Sequence, residues 1–291
     1  MEDFIAKMVD LFREVRRVLK PTGTCWVNLG DSYATSGSSG GQSNSEASDG
    51  ESAPSFRDSR YLNQHQPKTA INGLKTKDLC GVPWRVALAL QADGWWLRAA
   101  IIWAKPNPMP ESVTDRPTKS HEHIFLLTKS ARYFYDAEAV REPPGRNLRD
   151  VWTISTEPCK AAHFATYPTK LVEKCVKAGS SEYGCCAACG KPWERVVEKA
   201  VIKRTRESGG NDNARGRAGR AGEITSKTTG WRPTCECNAE TVPSIVLDCF
   251  MGSGTTAVVA QRTGRNFIGF ELNPEYIAIS DKRLAQGVLP L

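Results

Sequence analysis

The sequence predicts an α/β fold with a cysteine-rich insertion, and three stretches of the chain support this fold class. Residues 1–20 carry apolar side chains three and four positions apart, which is the spacing of an amphipathic helix. A proline–glycine turn and a short apolar run at 24–29 follow, which indicates a buried strand. Near the C-terminus, a strand at 244–248, a glycine-rich turn, a helix and a second strand at 266–270 continue the alternation of strand and helix.

The central part of the chain continues this alternation. Residues 83–92 predict a helix with a proline in its first turn. Apolar runs at 96–103 and 123–128 predict two strands, and residues 168–178 predict a helix that a glycine ends. Together these elements are sufficient for a complete α/β core.

The composition of the 291 residues is that of an ordinary globular protein, which allows one large domain or one domain with insertions. Lys and Arg number 39 against 32 Asp and Glu, and this net charge of +7 is compatible with nucleic-acid binding. No apolar run reaches the roughly 18 residues of a membrane span, and the first residues do not resemble a signal peptide. We therefore expect no membrane segment and a cytoplasmic location.

Composition divides the chain into five segments. The core segments are 1–33, 75–180 and 241–291, which hold the predicted helices and strands. Residues 34–74 form a low-complexity insertion rich in Ser, Gly, Asn and Asp, which cannot build an apolar core. Residues 181–240 form a cysteine-rich insertion with a basic loop.

The basic loop lies between residues 191 and 232, where eleven Lys and Arg stand against five Asp and Glu. The local excess of six positive charges accounts for nearly all of the net charge. Two interpretations follow: a solvated surface loop, or an arm that contacts the phosphates of a nucleic acid.

The C-terminal β–α–β unit is typical of nucleoside-binding crossovers. Asp248 ends the first strand, and Gly252 and Gly254 form a turn that lets the backbone approach a ligand closely. Glu271 ends the second strand 23 positions after Asp248, where its carboxylate can accept hydrogen bonds from both ribose hydroxyls. Asn273 caps the next helix. A lone Gly-x-Gly is often only a structural turn, but its place between strand and helix, with the acid correctly spaced, favours a binding site.

Several stretches of the chain resemble the N4/N6 DNA amino-methyltransferases. Residues 248–256 closely resemble the D-P-F-x-G-S-G-T-T cofactor motif of that family, with Cys249 at the usual proline position. Residues 271–276 match its acidic second motif, and residues 163–168 resemble its His-Phe-Ala-x-Phe/Tyr-Pro segment. The central region also resembles the family, at residues 83–85, 94–95, 103–110, 121–123 and 133–136. Because the cofactor motif comes last, the motif order is that of the permuted, beta-type group.

This resemblance implies a Rossmann-like S-adenosyl-L-methionine methyltransferase sheet and a site-specific DNA methyltransferase. The implied reaction moves a methyl group to the exocyclic amine of cytosine (N4) or adenine (N6) in double-stranded DNA, with the target base flipped out of the duplex. The cofactor motif and the cysteine pairs favour cytosine N4. The implied setting is a bacterial or phage restriction–modification locus with a cognate restriction endonuclease, and residues 34–74 and 191–232 are candidates for target recognition.

The resemblance also assigns candidate site residues. Nine residues are expected to contact S-adenosyl-L-methionine: Asp248, Phe250, Gly252, Gly254, Thr255, Glu271, Asn273, His163 and Phe164. The pocket for the flipped base is expected to include Trp103, Lys105 and Asn107, at the end of a central strand and in the proline-rich loop after it.

The family's catalytic tetrapeptide, Asp/Ser-Pro-Pro-Tyr/Phe/Trp, is expected just before the first helix, and it is not found there. Residues 142–145 hold two prolines but follow no apolar strand and contain no aromatic residue, so we interpret them as a structural turn. We expect the amine-binding loop and a central strand to lie before Met1. Two other functions stay open: an inactive remnant that still binds DNA or cofactor, and a methyltransferase that acts on RNA or a small molecule.

Two cysteine pairs lie on either side of the basic loop. Cys186 and Cys189 form a Cys-x-x-Cys-Gly knuckle, and Cys235 and Cys237 form a tighter Cys-x-Cys pair. Four thiolates can complete a tetrahedral structural zinc site, so we predict a zinc-ribbon-like element at 181–240. Cys185 could substitute for Cys186, and four reduced thiols without metal are the alternative.

Overall fold

The computed structural model of the protein describes residues 1–34, 73–157, 167–202 and 223–286. Nearly all of the low-complexity insertion lies outside the described residues, as do His163 and Phe164. The helices are α1 (Glu2–Val18), α2 (Val82–Ala92), α3 (Thr169–Gly179), α4 (Thr255–Arg262) and α5 (Pro274–Gln286), with a 3-10 turn at Glu138–Val140. The strands are β1 (Thr24–Leu29), β2 (Trp96–Ala104), β3 (His121–Thr128), β4 (Val151–Thr153), β5 (Cys185–Cys186), β6 (Glu194–Ile202), β7 (Glu223–Arg232), β8 (Thr241–Val242), β9 (Ile245–Asp248) and β10 (Asn266–Gly269).

The larger sheet has four strands in the order β1-β3-β2-β4. β3 runs antiparallel to both of its neighbours, and β4 runs parallel to β2. Because side chains alternate across a strand, β3 serves two cores. Leu127 packs with α1 and α2 on one face, while Ile124 and Leu126 pack with α3 on the other. The sheet is therefore covered by helices on both faces.

The smaller core sheet consists of β9 and β10, which are parallel and joined by α4. Val259 of α4 packs against Val172 and Val176 of α3, so α3 contributes to the cores of both sheets. Among the residues described, no strand pairs with the second edge of β1 or of β9. The architecture is a mixed α/β fold in which the two sheets are separate, whereas the sequence predicted one sheet.

The cysteine-rich insertion closes on itself where it meets the core. β5 pairs antiparallel with β8, Cys186 opposite Thr241, and the Ala187 amide donates to the Glu240 carbonyl at 2.8 Å. Beyond this closure, β6 and β7 form a long antiparallel hairpin. β8 leads through Ser244 into the amino end of β9, so the insertion is attached about 13 Å, the length of four strand residues, from the carboxyl end of that strand.

In the part of the chain that the structure covers, none of the helices combines the length and the apolar character that crossing a bilayer requires.

Candidate cofactor and metal sites

The glycine-rich turn follows the carboxyl end of β9. Gly252 and Gly254 have φ angles of 53° and 79°, a conformation that favours glycine over any residue with a side chain. A Cβ atom on Gly254 would lie 2.2 Å from the Ser280 hydroxyl oxygen, because α5 packs directly on the turn. Both the conformation and the close packing therefore require glycine at 254.

The Asp248 carboxylate shapes this turn from inside the fold. Its Oδ1 atom accepts a hydrogen bond from the Phe250 amide at 2.9 Å. Its Oδ2 atom accepts from the Tyr167 hydroxyl at 2.8 Å and from the Thr256 hydroxyl at 2.6 Å. A carboxylate offers about four acceptor positions, so three of those on Asp248 serve the protein itself.

The Glu271 carboxylate is held by backbone amides at the end of β10. Oε1 accepts from the amides of Leu272 and Asn273, each at 2.8 Å, and Oε2 accepts from the Gly252 amide at 2.8 Å. The amide of Asn273 is the main cause that lowers the pKa of Glu271, so the group is charged at neutral pH. Oε2 keeps acceptor capacity beside the glycine turn, which is what binding a ribose hydroxyl requires.

Exposed apolar side chains lie next to Glu271 in the chain and in the glycine turn. Phe250 is 60% exposed, Phe270 is 59% exposed and Leu272 is fully exposed. Such surfaces suit the flat faces of a heterocyclic base. Phe270 and Leu272 were absent from the predicted site, although both lie in the strand–acid segment that the sequence singled out.

The side chains of two predicted cofactor residues, Thr255 and Asn273, make hydrogen bonds within the fold. Thr255 is 4% exposed, and its hydroxyl accepts a hydrogen bond from Arg283 at 3.1 Å, so its side chain is used inside the fold. The Asn273 side chain accepts from the Glu275 amide at 2.9 Å, the cap at the start of α5 that the sequence predicted.

Trp103 does not occupy the position predicted for it. It is 2% exposed within the α3-facing core, and its indole N–H donates to the Ile154 carbonyl at 2.7 Å. Stacking on a flipped base requires an accessible ring, so we withdraw Trp103 from the candidate base pocket. Its period-two neighbours on β2 point into the same core, which explains the burial.

Lys105 and Asn107 lie just beyond the carboxyl end of β2. The Lys105 ammonium is 4.3 Å from the centre of the Trp103 ring and pairs with Glu122. The second oxygen of Glu122 accepts a hydrogen bond from Nδ2 of the Asn28 side chain at 3.0 Å. Asn107 exchanges two hydrogen bonds with Thr156, at 2.9 and 3.1 Å. The carboxyl ends of β1 and β2 carry this polar network, and ligands of α/β sheets bind at such ends.

The sequence did not assign Trp84 a site role, yet its side chain is an exposed aromatic ring at this end of the sheet. It lies in the first turn of α2, is 40% exposed, and its indole N–H donates to His123 Nε2 at 3.3 Å. Burial is the main cause that lowers the pKa of His123, so the imidazole stays neutral and accepts this bond. The signal was available in the Pro-Trp-Arg segment.

The four cysteines of the two predicted pairs come together. The Sγ atoms of Cys186, Cys189, Cys235 and Cys237 all lie within 4.8 Å of one another. The amide of Cys189 is the main cause that lowers the pKa of Cys186, to about 6, whereas a hydrogen bond with Cys189 raises the pKa of Cys237, so the thiolate of the metal-free cluster is at Cys186. Cys185 lies elsewhere: it is buried, with its Sγ 3.4 Å from the Ser244 hydroxyl. The arrangement can provide four thiolates to one metal ion, with Cys186 rather than Cys185 as the ligand.

Residues 142–145 form a closed turn, as predicted. The Glu142 carbonyl accepts from the amides of Gly145 and Arg146, at 2.8 and 2.7 Å, and the Glu142 side chain pairs with Arg149. The Glu142 carbonyl and the Glu142 carboxylate are therefore both used within this turn.

Known proteins of similar sequence are DNA methyltransferases. A family model described as DNA methylase, for N6 and N4 methyltransferases, matches residues 1–187 and 239–282. Type II methyltransferase M.Cfr9I of Citrobacter freundii is 40% identical over 288 residues, which cover 98% of this chain and 72% of the relative. Type II methyltransferase M.SmaI of Serratia marcescens is 40% identical over 290 residues, covering 98% and 75%.

Solved structures share the fold. The PvuII DNA methyltransferase, described as cytosine-N4-specific, superposes with a TM-score of 0.56 at 17% identity, covering 97% of this chain and 71% of that one. A proposed DNA modification methylase from Thermus thermophilus, complexed with S-adenosyl-L-methionine, superposes with a TM-score of 0.52 at 20% identity. The superposition covers 99% of this chain and 79% of that one. With a family match over most of its length and relatives at 40% identity, the chain belongs to the N6/N4 DNA methylase family.

Proposed function

We propose that this protein binds S-adenosyl-L-methionine at the glycine turn and methylates the N4 amine of cytosine in double-stranded DNA. The observation that supports cofactor binding most directly is the Glu271 carboxylate, which three backbone amides fix beside the Gly252 turn and whose Oε2 atom can accept a further hydrogen bond. The names of the 40% identical relatives, both Type II methyltransferases, support the reaction. The cofactor motif and the cysteine pairs favour N4, and adenine N6 is the alternative amine.

The residues present fit the cofactor. Gly252 and Gly254 leave the backbone free of side chains at the turn, Glu271 suits the ribose, and exposed Phe250 and Leu272 suit the adenine ring. When bound, S-adenosyl-L-methionine supplies an activated methyl group on a sulfonium. The protein's own part is to orient the ligand and to exclude water from the reacting amine.

On the side of the target base, we place Lys105, Asn107 and Trp84. Lys105 brings a cation that Glu122 holds in one orientation, and Asn107 brings an amide held by Thr156. Trp84 takes the place predicted for Trp103 in the base pocket, where its accessible ring can stack on the base. These groups surround the carboxyl end of the larger sheet, where a base flipped from the duplex would enter.

The test is methyl transfer from tritiated S-adenosyl-L-methionine to unmethylated duplex DNA, followed by nucleoside digestion and chromatography. We expect label in N4-methylcytosine. Glu271→Gln is expected to lower kcat/KM at least tenfold, because the neutral amide is a poorer acceptor for the ribose hydroxyls and its NH₂ group opposes the backbone amides. Glu275→Gln, an exposed neighbour on α5, is the matched control and should retain full activity.

The outcomes separate the candidate functions. Label in N6-methyladenine would change the target amine and keep the enzyme class. Tight binding of S-adenosyl-L-methionine or DNA without transfer would favour the non-catalytic binding protein. Label in RNA but not in DNA would overturn the proposed substrate. In an active enzyme we expect the setting of a bacterial restriction–modification system, with a cognate endonuclease that reads the same target.

We further propose that the four-cysteine cluster holds one structural zinc ion and that residues 181–240 form a zinc-ribbon-like element. The support is the mutual approach of four Sγ atoms within 4.8 Å, from two pairs separated by the β6–β7 hairpin. Zinc prefers such a closed tetrahedral thiolate site, and the ion would join the two ends of the insertion.

Metal analysis of the purified protein tests this proposal. We expect one zinc per chain, released by a thiol-reactive mercurial. Cys237→Ser should lose most of the zinc, whereas Cys185→Ser, at a buried cysteine next to Cys186 in the sequence and outside the cluster, should retain it. Much less than one zinc per chain in both the wild type and Cys185→Ser would instead show that the cluster consists of four reduced thiols without metal.

A further inference from the structure

Tyr167 lies between the two sheets. It immediately precedes Pro168 at the start of α3, and its ring packs against two separate core clusters. One cluster includes Trp152 of the larger sheet, and the other includes Val259 behind the glycine turn. Among the described residues, no other apolar side chain is shared by these two clusters.

The hydroxyl of Tyr167 ends in a three-membered hydrogen-bond network. It lies 2.8 Å from Asp248 Oδ2 and 2.7 Å from the Thr256 hydroxyl, which itself lies 2.6 Å from the same carboxylate oxygen. The two hydroxyl groups have only two protons for the three short contacts among Tyr167, Thr256 and Asp248. The hydrogen bonds of this network therefore depend on one another. Burial raises the pKa of Tyr167, which keeps the phenol protonated as a donor.

We propose that Tyr167 is a positioning residue for cofactor binding, acting through Asp248 on the glycine turn. Tyr167 and Thr256 hold Oδ2, and the other carboxylate oxygen holds the Phe250 amide at the first step of the turn. The same turn presents the Gly252 amide to Glu271, so its conformation determines the ribose site. This inference rests on the proposed function and adds a residue 81 positions away from the cofactor motif.

Removal of the Tyr167 hydroxyl leaves Thr256 as the single anchor of Oδ2. The Asp248 side chain is then freer to rotate, and its bond to the Phe250 amide is weakened. The ring of phenylalanine still fills the space between the two cores, so packing is retained. The expected defect is therefore in cofactor affinity rather than in folding.

The experiment measures the Kd of the full chain for S-adenosyl-L-methionine and S-adenosyl-L-homocysteine by calorimetry. We expect Tyr167→Phe to weaken both roughly fivefold, the effect of one hydrogen bond. Thr256→Val should weaken binding similarly, and Thr256→Ser, which keeps the hydroxyl, should restore the wild-type Kd. In the double variant Tyr167→Phe/Thr256→Val, the two losses should not multiply, because they share one carboxylate.

Two control variants remove matched hydroxyls elsewhere. Tyr133→Phe removes a phenol that contacts Arg98, and Thr263→Val removes a hydroxyl at the opposite end of α4. Neither should change the Kd. The urea midpoint and near-ultraviolet circular dichroism of each variant report folding, and the Thr256→Val and Thr256→Ser pair serves alone if Tyr167→Phe does not fold.

Equal Kd values for wild type, Tyr167→Phe and Thr256→Val would overturn the inference, as would equal losses in the control variants. A wild type that binds no S-adenosyl-L-methionine would overturn the proposed function and the inference together. Weakened binding in Tyr167→Phe with no transfer to DNA by the wild type would overturn the proposed function and leave the positioning role standing.

Discussion

Arg265 is a buried cation whose partners are uncharged oxygens. It is 5% exposed, and it donates to the Ser180 hydroxyl at 3.2 Å, to the Ser180 carbonyl at 3.0 Å and to the Thr263 carbonyl. Those carbonyls follow the last turns of α3 and α4, where helix dipoles place negative charge. Burial is the main cause that lowers the pKa of Arg265, and the charges of Glu182 and Asp136 oppose that shift.

Arg265→Met should lower the free energy of unfolding by about 3 kcal/mol, because it leaves buried carbonyls without donors while keeping most of the side-chain volume. Urea unfolding at pH 7 measures the change. The control is Arg262→Met, three positions earlier and exposed, which should change stability by less than about 0.5 kcal/mol. Equal effects of the two substitutions would show that the helix ends do not depend on Arg265.

At the scale of elements, the β6–β7 hairpin is anchored to the core through the 3-10 turn. Glu138 of that turn pairs with Arg141 and lies 3.6 Å from Lys199 of β6. Next to it, Arg195 of β6 pairs with the buried Asp136 at 3.0 Å. These ion pairs connect the insertion to the segment that follows β3, independently of the four cysteines.

Glu138 makes this anchor sensitive to acid. Its hydrogen bond with Arg141 is the main cause that lowers its pKa to about 2. A carboxylate whose pKa is lower in the folded than in the unfolded protein stabilises the folded state at pH values above the unfolded pKa, roughly 4.3. That contribution to stability is lost as the pH falls towards the pKa of the folded state. The free energy of unfolding of the wild type should therefore exceed that of Glu138→Gln by about 1 kcal/mol at pH 7, and this difference should disappear between pH 4 and pH 2.

Urea unfolding across that pH range measures the difference. Asp281→Asn, an exposed substitution on α5, is the control and should show a small difference that does not follow this pH course. A constant difference between wild type and Glu138→Gln from pH 7 to pH 2 would contradict the assignment.

The positions of helices and strands could be predicted because their signals are local. The predicted helix at 83–92 is Val82–Ala92, the strand predicted at 96–103 is Trp96–Ala104, and the helix predicted between the glycine turn and the strand at 266–270 is Thr255–Arg262. Apolar period, a first-turn proline and terminal glycines determine such boundaries within a few residues. The glycine turn and its acid were predicted for the same reason.

Contacts between distant residues could not be predicted in this way. The burial of Trp103 depends on α3 crossing the sheet, and α3 begins 66 positions later in the chain. The Tyr167–Asp248 bond spans 81 positions, and no spacing rule connects a tyrosine before one helix to an aspartate before another. The separation of the two sheets likewise depends on which strands pair, and the apolar pattern of a sequence does not predict this pairing.

At the scale of the whole molecule, the two insertions leave the core at opposite ends. The low-complexity insertion begins and ends beyond the carboxyl end of β1, where Ala34 exchanges backbone hydrogen bonds with Lys77 and Asp78. The cysteine-rich insertion is attached at the amino end of β9, away from the glycine turn.

The attachment of the cysteine-rich insertion has a consequence for the history of the protein. The chain leaves and rejoins the core across one backbone hydrogen bond, from Ala187 to Glu240, and the family match omits 188–238. A segment with adjacent ends behaves as a cassette: it can be gained, lost or exchanged between lineages without changing the course of the surrounding chain. The same junction is a natural place to graft a reporter or a further binding domain onto the α/β core.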